Sequence, residues 1–493
     1  MGKYTHLFNT ISAYTAEREN NYNEPWVSLT EENNKVNYNK TKREKLLETP
    51  LTFEILSDGY INWGCNNIYV AKTIEYSKDN GTTWTEVTSS TGGTQINVVS
   101  GDTVLFRGDN DSYANSFYNN TFSGTTCQFN AKGNIMSLIN STGFANMTEF
   151  PEGSQYNFVQ LFENCTSLPS ISNLMLPATT LTDNCYNYMF NGCTSLITAP
   201  ELPATTLATY CYANMFKGCT GLVSAPELPA TTLANICYRE MFRDCTSLTT
   251  APELPATTLT DFCYDNMFQS YISLVSAPSI LPATTLAGNC YQYMFGNCSS
   301  LTTAPELPAT TLAGGCYSNM FNSCSSLTTA PSVLPATALT QECYQQMFLN
   351  CSSLTTAPEL PATTLANYCY NYMFNGCTSL TTAPELPATT LATACYRNMF
   401  QGCTSLTTAP ELPATTLANY CYSGMFSGCS NLNYIKCLAT YISASNCTNS
   451  WVSGVSASGT FVAHDRSVAW TTGVNGIPNG WTVEYETNGF IIE

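Results

Sequence analysis

The sequence predicts a repeat solenoid, with one short strand and one short helix per coil, preceded by an all-β sandwich-like domain and an extended N-terminal arm. A near-identical unit recurs about every 26 residues between residues 176 and 437, and such a period is typical of solenoids that build each coil from a strand and a helix. Residues 51–130 contain short alternating apolar and polar runs separated by turns, which indicates a sandwich. Residues 1–50 show neither pattern.

Composition and charge exclude several classes of protein. Of the 493 residues, 44% are apolar, as in a folded protein, but only 11% are charged, so Ser, Thr and Asn must supply much of the solvated surface. The net charge of −18 would repel DNA or RNA. Neither a signal-peptide-like segment nor an apolar run of about 18 residues is visible. We therefore expect no nucleic-acid partner, no membrane insertion and no secretory signal.

Residues 1–50 are predicted to be an attachment arm. They are rich in Asn, Glu, Lys and Tyr, a composition that indicates either disorder or order imposed by a partner. Five aromatic residues favour the partner, because aromatic side chains are enriched where proteins bind one another. They are Phe8, Tyr14, Tyr22, Trp26 and Tyr38.

The sandwich-like domain, residues 51–130, carries one Asp-box pattern in the stretch SKDNGTTW. Its signature residues are Ser77, Asp79, Gly81 and Trp84. We interpret the motif as a hairpin turn, in which Asp79 and Gly81 shape the backbone and Trp84 packs beneath it. Sialidases share the motif, but they also need an arginine cluster, a tyrosine nucleophile and several such boxes. A glycosidase is therefore the weaker interpretation.

A second turn in this domain, GDNDSY at residues 108–113, contains the carboxylates of Asp109 and Asp111. The pair could hold a calcium ion, but the remaining ligand spacing of a calcium loop is missing. A solvated turn is the favoured interpretation.

The repeats are registered by the Leu-Pro pair of LPATTL. The ten copies begin at Leu176, Leu202, Leu228, Leu254, Leu281, Leu307, Leu334, Leu360, Leu386 and Leu412. Two of the steps are 27 residues long, where APSILP and APSVLP replace APELP, so the extra residue belongs to a turn. Within one copy, Leu365, Cys369 and Met373 follow at four-residue steps, which predicts a short helix. The proline-rich stretch after it allows only a very short strand.

Both ends of the stack are predicted to be capped. Residues 131–175 are expected to form an N-terminal cap and a degenerate first repeat, in which Phe162 and Cys165 keep the register. Residues 438–493 are expected to form a last degenerate repeat and a β-rich C-terminal cap, with Trp451 where a full copy has Met. Such caps are needed because the end coils of a stack would otherwise expose its core.

The motif order MFNGCTSL and then LPATTL resembles the BspA-like leucine-rich repeats. The CYxxMFxxC variant is similar to a form found in Bacteroidales and their crAss-like phages. The resemblance covers about residues 130–485. It implies a leucine-rich-repeat-like solenoid that serves as a non-enzymatic scaffold for adhesion or recognition. The surface-anchored bacterial members carry a secretion signal, which is not visible here.

Most of the 24 cysteines fall at two positions of the repeat. The two ladders include Cys185, Cys211 and Cys369 at the first position and Cys193, Cys219 and Cys377 at the second. Their spacing and the presence of only two histidines disfavour a metal array. Disulfides between adjacent coils are within reach, but no oxidising compartment is indicated. A redox role would need an exposed thiol of low pKa. We expect mostly free thiols that act as small apolar side chains, and no cofactor.

Two further rows run along the repeats. A row of glutamates could bind cations, but a splayed, solvated row is the favoured interpretation. It comprises Glu201, Glu227, Glu253, Glu306, Glu359, Glu385 and Glu411. The residue before the first cysteine varies freely between copies that are otherwise near-identical, and we predict that this row carries binding specificity. It includes Tyr210, Ile236, Phe262, Glu342 and Tyr368.

These observations predict a structural recognition protein. We expect a homo-oligomeric phage virion fibre or appendage, whose arm binds other virion proteins and whose solenoid binds a host glycan or surface protein. A bacterial cell-surface or secreted adhesin, joined to surface proteins instead, is the alternative. A carbohydrate-active enzyme centred on the Asp-box is the third reading, and no paired carboxylates, Ser-His-Asp set or phosphate loop supports it.

Overall fold

The computed structural model describes residues 41–486. The chain separates into one unit that ends at Leu46 and a second that begins at Leu47. A helix, α1, spans residues 41–47, so the last residues of the predicted arm are helical rather than extended. The rest of the arm, including its five aromatic residues, lies outside the described residues.

Two antiparallel sheets occupy the first part of the second unit. Their strands are β1 (Leu51–Ile55), β2 (Gly59–Cys65), β3 (Thr73–Ser77), β4 (Thr85–Thr88), β5 (Thr94–Val98), β6 (Thr103–Arg107), β7 (Asn120–Thr121) and β8 (Phe129–Asn134). Single-turn 3-10 helices lie at Ile68–Val70, Ile135–Leu138 and Phe144–Asn146. The larger sheet has the order β4-β3-β6-β1-β8 and continues into β9 (Asn173–Met175), while the smaller has the order β5-β2-β7.

The core of these sheets continues into the repeats without a break. The ring of Phe53 lies 4.3 Å from that of Phe129 and 5.0 Å from that of Phe122, which in turn lies 5.5 Å from Phe162 of the first coil. Strands β8 and β9 pair in parallel, with Lys132 opposite Asn173. The sheets therefore form a platform on which the first coil is built. The domain limits drawn from the sequence stay predictions.

Successive coils lie side by side and are joined by parallel backbone pairs. On one side these are isolated bridges between threonines 26 or 27 residues apart, for example Thr329 with Thr356 and Thr356 with Thr382. Between residues 176 and 433, all of which the structure describes, these bridges do not extend into strands. Proline explains this, because the Ala-Pro-Glu-Leu-Pro stretch, or APSILP or APSVLP in its place, removes two amide donors between successive copies.

The other side of each coil is a ribbon of turns, and the predicted helix in each coil is wrong. Between residues 176 and 433 no helix is present. Instead, alternate amides serve different bonds: Cys369 and Met373 donate to the carbonyl three residues earlier, while Tyr370 and Phe374 donate to the next coil. An α-helix would use all of these donors within itself, so here half of them tie neighbouring coils together.

Two stacks of aromatic rings run through the interior beneath the turns. One tyrosine and one phenylalanine of each copy lie over the equivalent ring of the next, as in Tyr344 over Tyr370 at 5.7 Å and Phe348 over Phe374 at 5.6 Å. The rings are nearly parallel and buried. Both stacks meet at Trp451, whose ring lies 6.2 Å from those of Tyr422 and Phe426, and the Trp470 ring stacks on it at 5.7 Å.

The C-terminal end of the stack is a small parallel sheet. Its strands are β10 (Tyr434–Cys437), β11 (Thr460–Ala463) and β12 (Thr482–Tyr485), in that order. Trp481 and Phe461 contribute buried side chains to its core. Within residues 41–486, no helix has the length and apolar character needed to cross a membrane.

Candidate functional site

The ribbon of turns places three columns of residues on one surface, which we call the turn face. Each column holds one residue per coil, and every member has a positive φ between 50° and 78°. The first column is Asn184, Tyr210, Ile236, Phe262, Asn289, Gly315, Glu342, Tyr368, Ala394 and Tyr420. The second is Tyr188, Asn214, Glu240, Asn266, Tyr293, Asn319, Gln346, Tyr372, Asn398 and Gly424. The third is Gly192, Gly218, Asp244, Ser270, Asn297, Ser323, Asn350, Gly376, Gly402 and Gly428.

The left-handed conformation follows from the turns themselves. In the turn from Ala366 to Cys369, closed by the bond from the Cys369 amide to the Ala366 carbonyl, Tyr368 is the third residue and has a φ of 58°. A positive φ at this position is required by type II turns. Glycine and asparagine adopt it most easily, and other residues bear a cost of about 1–2 kcal/mol each.

The third column obeys this preference and the first does not. Glycine, asparagine, aspartate and serine fill the whole third column. The first column instead includes Ile236 and Phe262, and a β-branched residue at positive φ is a genuine outlier. The backbone requirement is the same in both columns, so the first column keeps side chains that the local conformation disfavours.

The structure brings the five predicted specificity residues into the first column. Tyr210, Ile236 and Phe262 lie in consecutive coils, while Glu342 and Tyr368 lie in another consecutive pair; all five are half-buried. Each donates its amide to the coil that follows. The second column also varies between copies, with five residue types against seven in the first, and comparison of the copies is the signal that identifies it.

A charged cluster on the turn face spans three coils. Lys217 Nζ lies 2.6 Å from the Glu240 carboxylate, Arg243 lies 3.1 Å from the same carboxylate, and Arg239 lies 3.0 Å from that of Asp265. Burial raises the pKa of Asp265 to about 6. Burial alone would also raise the pKa of Glu240, but the bonds from Lys217 and Arg243 bring it below its ordinary value. Arg243 also lies 3.5 Å from the Asp244 carboxylate, so three cations face three carboxylates and the cluster compensates its own charges.

The cysteine ladders lie in the interior, away from the turn face. All 24 thiols are free and buried. At the second position the Sγ–H donates to a phenylalanine carbonyl of the preceding coil, for example Cys193 to Phe162 at 3.0 Å and Cys377 to Phe348 at 3.1 Å. At the first position Cys185 makes a longer contact of 3.9 Å with the Cys211 carbonyl.

The electrostatics of these thiols oppose nucleophilic chemistry. Burial raises the pKa of Cys211 to about 12 and those of Cys185, Cys193, Cys219 and Cys369 well above the usual range. A thiolate is the reactive form of cysteine. In the copy without a second cysteine, the Tyr271 hydroxyl donates to the Thr250 carbonyl at 3.3 Å, a different acceptor from the phenylalanine carbonyls that the thiols use.

The glutamate row forms an exposed column beside shallow grooves. Glu359 and Glu385 line one groove of about 470 Å³ together with prolines of the same two coils. Ile280 and Val333 occupy the column at the two 27-residue steps, where they pair with Glu306 and Glu359. At the C-terminal end, Lys436 lies 3.0 Å from Glu411 and 2.7 Å from Glu486. Across the part of the chain that the structure describes, no group of three or more potential ligands could hold a metal ion.

The Asp-box forms a closed turn next to β3. The Asp79 carboxylate accepts bonds from the Ser77 hydroxyl at 2.8 Å, the Thr83 amide at 2.8 Å and the Thr83 hydroxyl at 2.7 Å. Bonds from Thr83 and Ser77 lower the pKa of Asp79 to about 2. Trp84 donates to the Gly81 carbonyl at 3.1 Å. The Asp79 carboxylate therefore stabilises its own turn through these three hydrogen bonds.

The second predicted turn also uses one of its carboxylates internally. Asp109 accepts bonds from the amide and the hydroxyl of Ser141, at 2.8 and 2.9 Å, while Asp111 is exposed. The two aspartates do not converge on a common ligand position in these contacts.

Comparisons with known proteins were made for the whole chain. A family model described as a BspA type Leucine rich repeat region matches residues 113–249 and 341–461 in six copies, which is more than half of the chain. The crystal structure of a leucine-rich repeat protein from Bacteroides ovatus ATCC 8483 is similar at 15% identity, over 73% of this chain and 95% of that one, with a TM-score of 0.34. Such a distant likeness does not bear on the fold. A search of curated proteins finds no match.

Proposed function

Because this chain belongs to the BspA-type leucine-rich repeat family, we propose that it is a non-enzymatic recognition protein whose turn face binds a glycan or protein on a host surface. Leucine-rich repeat families are generally non-enzymatic, and this one is a recognition and surface-type family whose members are often surface or extracellular proteins. The stacked coils would act as a solenoid that holds many variable side chains in fixed positions.

The first column of the turn face carries this proposal. Its members share one backbone conformation with the third column, yet they include Tyr210, Ile236, Phe262 and Tyr368 where glycine would be less strained. Strain of this kind concentrates at functional sites, where the side chain is needed despite its cost. The same positions vary between copies whose interior residues hardly change.

The composition of the face also supports recognition. Asparagine, glycine and tyrosine supply 21 of the 30 residues in the three columns, and these residue types are enriched in paratopes because they combine rigid aromatic area with adaptable hydrogen bonding. Arg397 lies 5.9 Å from the ring centre of Tyr420, in the last coils. The −18 charge of the chain disfavours polyanionic partners.

The setting we propose is a phage virion. The chain would be a homo-oligomeric fibre or appendage, attached to other virion proteins through residues 1–50. The resemblance of the CYxxMFxxC repeat to phage-borne forms supports this setting. A bacterial surface or secreted adhesin is the second candidate, and it is supported by the family match, because members of this family are often surface or extracellular proteins. The third, a carbohydrate-active enzyme at the Asp-box, has less support, because Asp79 is engaged by its own turn.

Glycine substitutions in the first column test the function directly. We expect Ile236→Gly, Phe262→Gly and Tyr368→Gly to abolish binding of the labelled chain to intact cells of the Bacteroidales strains that bind it. The same variants should unfold at equal or higher urea concentration, because each removes an unfavourable φ. Asn350→Gly in the third column is the matched control and should bind as the unmodified chain does.

Loss of stability in parallel with loss of binding would show that the first column serves packing, and would refute the proposal. Normal binding by all three variants would do the same. Proteomics of purified phage particles and of host envelopes separates the two settings, since a chain found only in envelopes cannot be a virion component.

A further inference from the structure

Two loops at one edge of the N-terminal sheets expose a cluster of large apolar side chains. We call residues 66–71 and 113–119 the aromatic loop pair. Tyr69 is 94% exposed, Phe117 80%, Ile68 57% and Tyr118 40%. Aromatic rings are normally among the most buried side chains, so several exposed rings on neighbouring loops indicate a binding surface.

The two loops arise from the same point of the smaller sheet. Strand β2 ends at Cys65, which is paired with Asn120 at the start of β7. Just beyond this pair, the Asn66 amide donates to the Asn119 carbonyl at 3.2 Å, and the Asn119 amide donates to the Asn66 side-chain oxygen at 2.9 Å. The loops are therefore joined at their bases.

A buried asparagine holds the two loops together. Asn120 is 0% exposed, and its amide nitrogen donates to the Val70 carbonyl at 2.8 Å in one loop and to the Tyr113 carbonyl at 2.9 Å in the other. Its oxygen accepts the Lys72 amide at 3.1 Å. The exposed rings thus project from a fixed backbone, which reduces the ordering cost of binding.

Three further asparagines have their oxygens committed inside the loops. Asn67 accepts the Tyr69 amide at 3.0 Å, and Asn115 accepts the amides of Phe117 and Tyr118 at 2.9 and 2.8 Å. With the Asn66 oxygen used in the same way, the amide nitrogens of Asn66, Asn67 and Asn115 remain as donors. The surface therefore combines ring faces with hydrogen-bond donors, and neither loop contains a charged residue.

We propose that the aromatic loop pair is a binding site for a neutral glycan, separate from the turn face and independent of its function. A sugar ring offers C–H groups that stack on aromatic faces and oxygen atoms that accept bonds from amides. An anionic lipid surface would need a cluster of flanking cations, and Lys72 at the end of the first loop is a single one. A stable protein interface buries about 800 Å² per partner. The four exposed apolar side chains, which asparagine and serine surround, offer less area than that.

Affinity electrophoresis of the full chain tests the site. The probes are gels containing a neutral β-glucan, an α-mannan, a galactomannan or an arabinoxylan. We expect at least one polysaccharide to retard the unmodified chain. Tyr69→Ala and Phe117→Ala should each weaken binding of that polysaccharide about tenfold. The double variant should show no retardation. Tyr69→Phe should retain binding, because it keeps the ring.

Tyr441→Ala is the matched control, since Tyr441 is 58% exposed but lies outside the loops; it should not change the retardation. No retardation by any probe would overturn the proposal, as would equal retardation of the double variant. A chain mass that falls from dimer to monomer in the double variant would identify the loops as a self-interface instead. If Tyr368→Gly abolishes retardation while the loop variants do not, the glycan binds the turn face, and this proposal fails while the proposed function stands.

Discussion

The packing of glycines in the third column leads to a quantitative prediction. Gly376 and Gly402 occupy the same position in adjacent coils and have almost the same φ, 74° and 76°. A Cβ added at Gly376 would lie 2.4 Å from the Asn350 side-chain oxygen, whereas one added at Gly402 would meet only backbone atoms of Gly376 at 3.8 Å. The two glycines therefore differ in steric surroundings and not in conformation.

We expect Gly376→Ala to be more destabilising than Gly402→Ala. Both variants place alanine at positive φ, which costs about 1–2 kcal/mol, and both gain up to about 1 kcal/mol because alanine restricts the unfolded chain. Only Gly376→Ala also displaces Asn350 from its rotamer, which costs about 0.5–1.5 kcal/mol more. The expected difference in the free energy of unfolding is thus about 1 kcal/mol.

Urea unfolding of the unmodified chain and of four variants measures this difference. The double variant Asn350→Gly/Gly376→Ala lacks the Asn350 side chain that obstructs the new Cβ. Its free energy of unfolding should therefore lie below that of Asn350→Gly by the same amount as that of Gly402→Ala lies below that of the unmodified chain. Native-state hydrogen exchange over residues 369–403 confirms that both sites report on the same coils. Equal losses for the two alanine variants, or a coupling below about 0.3 kcal/mol in the cycle, would refute the steric argument.

Three further expectations follow from the interior and from the charged cluster. A thiol reagent should modify few of the 24 cysteines in the native chain, because all are buried and burial raises their pKa values, that of Cys211 to about 12. After denaturation the reagent should modify all of them, and modification of fewer than half would show that disulfides are present. Tyr271→Phe should lower the free energy of unfolding by about 1 kcal/mol through loss of the bond to Thr250, and Tyr271→Cys should lower it by about 2–4 kcal/mol because it also leaves a cavity. Urea midpoints measure both effects, and unchanged stability of the Tyr271→Cys chain would contradict the packing role. The pKa of Asp265 is raised to about 6 in the folded chain, so between pH 4 and 6 the folded state binds more protons than the unfolded state. The free energy of unfolding therefore falls as pH rises in this range, by at most about 1.4 kcal/mol per pH unit. Asp265→Asn should remove this pH dependence, and identical profiles of stability against pH for the two chains would contradict the expectation.

The repeat period and the family resemblance were predicted from the sequence, and the family match confirms the resemblance. Both rest on identity between copies, which needs no knowledge of backbone conformation. The two 27-residue steps were also interpretable, because Ile280 and Val333 each accompany an added residue in a proline-rich turn.

The helix was mispredicted because a four-residue apolar spacing has two structural causes. It arises on one face of a helix, and it also arises in a ribbon where every fourth residue turns the chain. Cys369, Met373 and Cys377 fit both. The distinguishing signal was the third column, where Asn350, Gly376 and small polar residues recur at the position that requires positive φ.

The aromatic stacks were also missed. Tyr370 and Phe374 are as constant between copies as the cysteines beside them, but cysteine attracted attention because of its chemistry. Stacking distances depend on the rise between coils, which follows from the inter-coil hydrogen bonds and could not be derived from a single copy. Placement of the aromatic loop pair likewise depends on the pairing of β2 with β7.

The hydrogen bonds that join neighbouring coils run between backbone atoms, as from Tyr370 to Cys395, and are indifferent to the residue displayed in the first column. One coil can therefore be exchanged for another without loss of these backbone bonds, provided that a glycine of the third column follows each asparagine that would obstruct a Cβ there, as Gly376 follows Asn350. The architecture thus separates a constant framework from the side chains that vary between copies.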